Sequence, residues 1–401
     1  MKMISVQEAE EKVLAAAIDL GTEEVLFMNT SGRVLAETIY ADRPFPACDR
    51  STMDGIAVKY ADFEAGVRTF DIVGVQPAGH EPIAGNKCEC VEVMTGAGVH
   101  ASFDTVVRYE DISIANGKAT ININELKQGL AIHKRGADRN AGACLVESGT
   151  VVDAAVIAAC ATVGKTQLKV FRQPRITIIS TGNELVEPDM PATDWQVRRS
   201  NPFMLGAVVE QRGIKPGYLH ISDDEESLKT EMGRLLNSND ALLLTGGVSM
   251  GKFDHLPKVL EQLGVKCVFH KIRQRPGKPF YFGVQENGCT IFAFPGNPVS
   301  SFMCLHRYFL PWLKKSMQQE IVQVPYAVLT CDIQFKPALI YFVQVQLSYT
   351  ATGVLMATPL EGHGSGDLAN LLNTHAFMQL PEDRTQFLAG ESFPVWAFKA
   401  F

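Results

Sequence analysis

"DALLLTGGVSMGKFDHLPKVL", residues 240–260, reads as an apolar strand, a glycine pair, a hydroxyl and then an amphipathic helix. An uninterrupted apolar run such as Ala241–Leu244 suits a strand buried on both faces, and a helix following it directly is the βα unit of a parallel sheet. The same grammar extends on both sides. From Arg175 onward "RITIIST", "NPFMLGAVVEQRG", "KPGYLHI", "DEESLKTEMGRLLNS", "VKCVFHKI", "PFYFGV", "TIFAFPG" and "PVSSFMCLHRYFLPWLKK" alternate strand and helix patterns, which predicts a doubly wound parallel α/β domain over residues 173–318.

Three of these strands run into loops of one kind: Ser180-Thr181-Gly182-Asn183-Glu184, Thr245-Gly246-Gly247-Val248-Ser249 and Pro295-Gly296-Asn297-Pro298. In an open parallel sheet the carboxyl ends of the strands form the ligand crevice, and glycines there let backbone N–H groups approach an anion. Pro298 suits the first position of a helix, so Val299, Ser300 and Ser301 are expected to present free N–H donors to the crevice. Any one loop is equally a tight turn; three on one edge point to a phosphate or oxyanion site.

The rest of the chain has a different texture. Residues 5–20 read as an amphipathic helix opened by the capping pair Ser5 and Glu8, and Asp153–Val163 reads as a helix that partners it. Together they suggest a discontinuous helical linker domain, 1–43 and 144–172, interrupted by an inserted, mostly β domain at 44–143 with short runs such as "FDIVGV", "KCECVEVM" and "ATININ". Residues 319–401 return to short strands and form a smaller C-terminal β domain.

Composition narrows the function. A chain of 401 residues with 46% hydrophobic content is expected to fold as several domains, and a net charge of −7 without a basic stripe argues against nucleic acid as a partner. The longest uncharged apolar run, "AAVIAACATVG" from residue 154, falls short of the roughly 20 residues a membrane span needs, and the N-terminus lacks a signal-like apolar stretch. The expectation is a cytoplasmic protein without membrane attachment. Nine cysteines without Cys-x-x-Cys spacing read as reduced core thiols, with zinc as the alternative. His270, His306 and His375 sit in apolar or helical surroundings and receive no role, and neither a Walker loop nor a Gly-x-Ser-x-Gly elbow is present.

Charged residues supply the remaining candidates. "RQRPGKPF" groups Arg273, Arg275 and Lys278 ahead of a strand, either as a local anion site or as a solvated basic loop. Asp49, Asp54, Asp138, Glu184, Asp223, Asp224 and Asp254 stand near turns, where each alone reads as a cap or turn residue. Beside phosphate-sized loops they are also the oxygen ligands that Mg²⁺ shares with a phosphorylated substrate.

"CDRSTMDGIAV", "VMTGAGVHASFDTVVRYED", "RGADRNAG", "STGNELVEP", "LLLTGGVSMGKFD", "RPGKPF" and "FPGNPVSSF", in this order over most of residues 45–302, resemble the MoeA family of molybdopterin molybdenumtransferases, to which the gephyrin and plant Cnx E domains belong. The resemblance implies the four-part chain described above, with the last domain barrel-like, working as an elongated homodimer whose cleft lies between the α/β domain of one subunit and the inserted domain of the other. It implies cleavage of adenylylated molybdopterin, insertion of molybdate into the dithiolene and release of AMP, with Mg²⁺ required. By the same resemblance Asp54, Thr95, Asp138, Glu184, Asp223 and Asp254 fall in the active-site cleft, with Glu184, Asp223 and Asp254 as metal ligands. Ser249, Arg275, Lys278 and Pro279 fall in a molybdate-holding loop. Gly246, Gly247, Pro295, Gly296, Asn297, Pro298 and Ser365 fall in the substrate-binding set.

Two departures stand out. The family often carries Tyr-Asp-Ser-Asn where this chain has Arg198-Arg199-Ser200-Asn201, and an arginine where this chain has Gln344, opposite Ser365. Two other readings share these features. One is a scaffold that keeps the crevice and clusters partners; the other is the pathway's adenylyltransferase, which uses the α/β part alone. That adenylyltransferase and molybdoenzyme-maturation proteins are the partners the resemblance suggests.

Overall fold

A computed structural model describes residues 3–247 and 255–401. Six strands build the α/β sheet: β1 (Ile176–Thr181), β2 (Gly217–Ile221), β3 (Ala241–Thr245), β4 (Val265–Phe269), β5 (Tyr281–Gln285) and β6 (Thr290–Phe294). Their spatial order is β2-β1-β3-β6-β5-β4. The first four run parallel, whereas β5 is antiparallel to both of its neighbours. The all-parallel expectation therefore fails only at β5, since β4 again runs in the direction of the first four. Only residues 286–289 separate β5 from β6, too short a link for the crossover that parallel pairing requires.

Every residue of β1, β3 and β6 is buried, as strands covered on both faces must be. One face packs Ile178, Leu243 and Phe292 against Leu205, Met303 and Trp312; the other packs Ile179, Leu242 and Leu244 against Leu228, Met232 and Val259. Helix Val6–Ala15 starts as expected, with Glu8 N donating to Ser5 Oγ at 3.0 Å. Its partner differs from the expected one. Val6, Ala9 and Val13 bury in the α/β core, and Trp312 Nε1 donates to Ala16 O at 3.0 Å. Helix Ala154–Thr162, capped by Asp153, instead joins Leu35, Ile39, Leu168 and Val170 in a separate core.

The inserted stretch carries a six-stranded sheet, ordered Thr105–Arg108, Gly55–Val58, Glu89–Val93, Thr69–Gln76, Lys118–Ile121 and Ile112–Ala115, with an apolar cluster on each face. Near the C-terminus five strands close into a barrel: Ile340–Tyr349, Leu355–Pro359, Tyr326–Leu329, Ser392–Ala397 and Ala376–Leu380, which pairs back with the first. The loop between β4 and β5 reaches this barrel, because Gln274–Arg275 adds a short parallel strand beside Ile340–Tyr341. Arg273 ties the junction with an ion pair to Glu382 at 3.2 Å, so of the predicted basic cluster this residue is structural.

All nine cysteines are free, but only Cys90, Cys160, Cys289 and Cys304 are buried, and Cys144 and Cys331 are exposed. The core-thiol reading holds for those four. Among the described residues no helix is long and apolar enough to cross a membrane.

Candidate active site

Thr181, Thr245 and Phe294 end β1, β3 and β6 side by side. Gly246 and Gly247 follow β3 with φ of 93° and 69°, in the left-handed region. A Cβ on Gly246 would stand 2.9 Å from Thr181 O, and one on Gly247 would stand 2.9 Å from Thr181 Oγ1. Close approach of neighbouring strand ends therefore demands both glycines, independently of any ligand. Gly296 is different. It has no positive φ, and among the described residues a Cβ there would find only the Gly246 Cα, at 3.9 Å, so their packing does not exclude a side chain.

A cavity of about 290 Å³ opens at these strand ends, walled by Thr181, Glu184, Arg199, Asn201, Gly296 and Pro298 among others. Asn201 Nδ2 donates to Gly296 O at 2.6 Å. Arg199 is buried, donating through Nη1 to Ser180 Oγ at 3.1 Å and through Nη2 to Glu187 Oε2 at 2.5 Å. Glu187 thus neutralises the Arg199 charge, while Arg198 Nε donates to Met190 O at 3.0 Å. Three polar atoms in this wall are buried without a hydrogen-bond partner among the described residues: Thr181 Oγ1, Arg199 Nε and Asn201 Oδ1. Such atoms are rare in folded proteins, so these three are open to water or to a ligand in the cavity.

Helix Pro298–Cys304 begins at the same edge, with Asn297 as its cap residue. The expected free donors are partly used. Val299 N donates to Ser365 O at 3.2 Å and Ser301 N to Asn297 O at 3.0 Å, while Ser301 Oγ donates to Pro295 O. Asn297 Nδ2 donates to Ser365 Oγ at 2.8 Å, which brings the barrel's loop onto the crevice. A second cavity, about 440 Å³, lies beyond this contact and is lined by Arg275, Pro276, Val299, Tyr341, Gln344 and Ser365 among others. Gln344 Oε1 accepts from Thr374 Oγ1 at 3.0 Å. The cation in this cavity is Arg275, delivered from the α/β domain by the strand pairing at Ile340–Tyr341. Lys278 is exposed on the same loop, with Pro279 leading into the buried Phe280.

Glu184 lines the strand-end cavity and is exposed, and Asp223 N donates to Asn183 Oδ1 at 3.2 Å, so the loops carrying both carboxylates are joined. Among the described residues no group of three or more His, Cys, Asp or Glu is disposed to hold a metal ion. Ser249 and Asp254, assigned to oxyanion and metal binding, lie outside the described residues.

Asp54, Thr95 and Asp138 all lie in the inserted domain. Thr95 donates to Asp54 Oδ1 through its N–H at 2.6 Å and its hydroxyl at 2.8 Å, and these two bonds, the backbone one first, hold the Asp54 carboxyl below its ordinary range. Asp138 meets His133 Nε2 at 2.9 Å, and Asp49 meets Lys134 Nζ at 2.7 Å. No residue of the inserted domain lines either cavity described above. Within one chain the sequence-predicted set therefore forms two groups. Thr181 and Asn201, central to the first cavity, stood within stretches the sequence reading quoted but were not singled out, because a strand-end threonine and a helix-start asparagine look ordinary until their neighbours are known.

Three family models tile the chain: "MoeA N-terminal region (domain I and II)" over residues 4–164, "Probable molybdopterin binding domain" over 177–315 and "MoeA C-terminal region (domain IV)" over 326–398. A molybdopterin molybdenumtransferase of Synechocystis sp. is 38% identical across 99% of this chain and 100% of its own. The chain belongs to the MoeA family. The Bacillus subtilis molybdopterin molybdenumtransferase is 31% identical, covering 98% of this MoeA chain and 93% of its own length. A crystal structure of a Pyrococcus horikoshii MoeA protein, 30% identical, superposes with a TM-score of 0.86 over the full length of both chains. The family model for molybdopterin binding spans β1 to β6, the sheet whose strand ends form the first cavity.

Proposed function

We propose that this protein is a molybdopterin molybdenumtransferase of molybdenum cofactor biosynthesis, which cleaves adenylylated molybdopterin, releases AMP and inserts molybdate into the dithiolene. The observation that carries this reading is the sharing of one helix turn by two cavities. Pro298 walls the cavity with the unpartnered Thr181, Arg199 and Asn201 atoms, and Val299 walls the cavity holding Arg275 and Ser365. A pterin-bearing substrate in the first would present its end to an oxyanion in the second.

Each group has a chemical task in this reading. Gly246, Gly247 and Gly296 let the backbone approach the substrate, with Pro295, Asn297 and Pro298 framing that approach. Arg275 supplies a fixed cation for molybdate, Ser365 a hydroxyl and Gln344 a neutral amide, while Lys278, Pro279 and Ser249 complete the loop set. Glu184 and Asp223, with Asp254, are the hard oxygen donors that suit Mg²⁺ alongside phosphate oxygens. Mg²⁺ bound there would neutralise charge developing on the pyrophosphate. Asp54, kept ionised by Thr95, serves as an acceptor that orients water, with Asp138 beside His133 in the same domain.

This division of labour requires the inserted domain of a second subunit to face the crevice, so the working form is a homodimer. A cytoplasmic location and encounters with the pathway's adenylyltransferase and molybdoenzyme-maturation proteins accompany the reading. The deciding experiment supplies adenylylated molybdopterin, Mg²⁺ and molybdate and follows AMP and active cofactor. Turnover to both products is the expected result; binding of the substrate without AMP release would instead favour a scaffold.

A further inference from the structure

A third cavity, about 740 Å³, lies between the α/β domain and the barrel and shares no lining residue with the other two. Its walls carry Arg212, Arg307 and Lys314, with His306 among them, and Glu10 is the sole acid there among the described residues. Glu10 is already committed, at 2.7 Å, to Arg307 Nη2. Among the described residues neither Arg212 nor Lys314 has an ion-pair partner. In a chain of net charge −7 this is a local excess of positive charge.

Arg307 is 5% exposed and packs 4.8 Å from the Trp396 ring centroid, yet its Nε and Nη1 have no hydrogen-bond partner among the described residues. The His306 Nε2 is likewise buried and unpartnered. Both residues sit in a π-helical turn, Leu305–Phe309, between helices Pro298–Cys304 and Leu310–Ser316; such turns recur at functional sites. Burial and then the Arg212 charge push the His306 imidazole down to about 3 and lower the Lys314 ammonium. The Arg212 charge is thus felt at both His306 and Lys314. Beside them Val322 and Tyr326 are 68% and 64% exposed, forming an apolar strip next to Trp396.

We propose that this cavity binds a small organic anion, a phosphate or carboxylate carried on an apolar or aromatic body. Arg212 and Lys314 hold the anionic group, which relieves their mutual repulsion, and Trp396 with Val322 and Tyr326 covers the body. The site does not depend on the assignment of the crevice.

Phenyl phosphate tests the proposal on the full-length protein, with inorganic phosphate and phenol as its two halves. Calorimetric titration should show saturable binding of phenyl phosphate below about 10 mM and at least about tenfold weaker binding of either half. Arg212→Ala with Lys314→Ala should weaken it by about tenfold or more, while Arg275→Ala with Lys278→Ala leaves it unchanged. With 5-fluorotryptophan incorporated, the Trp396 resonance should move and those of Trp195 and Trp312 should not. Undiminished binding by the Arg212/Lys314 variant, or a stationary Trp396 signal, overturns the proposal. A capped Glu-Phe-Glu peptide binding more tightly than phenyl phosphate would place the anion on a protein partner and overturn the small-molecule assignment.

Discussion

Asn297 and Ser365 meet across the junction between the α/β sheet and the barrel, Nδ2 donating to Oγ at 2.8 Å, while Ser365 O accepts from Val299 N at 3.2 Å. The backbone bond survives Ser365→Ala and the hydroxyl bond does not. This substitution should cost about 1 kcal/mol or less in stability, because only one partly exposed hydrogen bond is lost. It should raise the molybdate concentration for half-maximal insertion. An unchanged molybdate titration would remove Ser365 from the oxyanion site.

Gln344 and Arg275 line one cavity, so they offer a matched pair of tests. Arg275→Ala should raise the half-saturating molybdate concentration about tenfold, the loss of one charge-assisted contact. Gln344→Arg should lower it, leaving AMP release at saturating molybdate unaltered. A rise with Gln344→Arg would mean that Arg275 already meets the whole requirement and that a second guanidinium only crowds the cavity.

The glycines separate structure from chemistry. Gly246→Ala places a Cβ 2.9 Å from Thr181 O at a φ of 93°, and should destabilise by about 1–3 kcal/mol. Gly296→Ala meets nothing closer than 3.9 Å among the described residues and should change stability by about 0.5 kcal/mol at most, yet impair substrate binding. Thermal melts and substrate affinity of the two variants, compared side by side, decide the matter.

Assembly is tested by mixing subunits. Asp54→Asn and Glu184→Gln should each abolish AMP release with little change in melting temperature, since both side chains are exposed. Heterodimers carrying one of each should regain a single working cleft. Recovery no better than either parent, or a monomer at micromolar concentration in sedimentation, would contradict the cross-subunit site.

Acid should expose one structural carboxylate. Burial raises the Asp240 pKa, but hydrogen bonds from Arg175 and Arg172, together with the Arg172 charge, bring it to about 2. The folded value lies below the ordinary 3.8, so this stabilisation is fully present above pH about 4 and is lost as pH falls toward 2. Asp240→Asn should lower the melting temperature at neutral pH and flatten its decline between those limits. A decline as steep as in the parent protein would assign the acid sensitivity elsewhere.

Much of this protein was written in local pattern. The apolar run Ala241–Leu244, the Ser5 and Asp153 caps and the three strand-end loops follow from periodicity and capping, which act over a few residues. The ordered motifs can also be read along the chain, though there the warrant is resemblance to the MoeA family and not periodicity. What local pattern could not supply was which distant surfaces meet. The antiparallel turn of β5 depends on a link too short to cross over, and the destination of helix Val6–Ala15 on which apolar face was left uncovered. Both glycines of the opening stretch are required by Thr181, a residue more than sixty positions earlier that strand pairing alone sets beside them. Likewise Arg275 became the cation opposite Gln344, and Arg212 the neighbour of Lys314, only through tertiary packing. Charge and burial energies depend on distance in space, and separation along the chain carries almost no record of it.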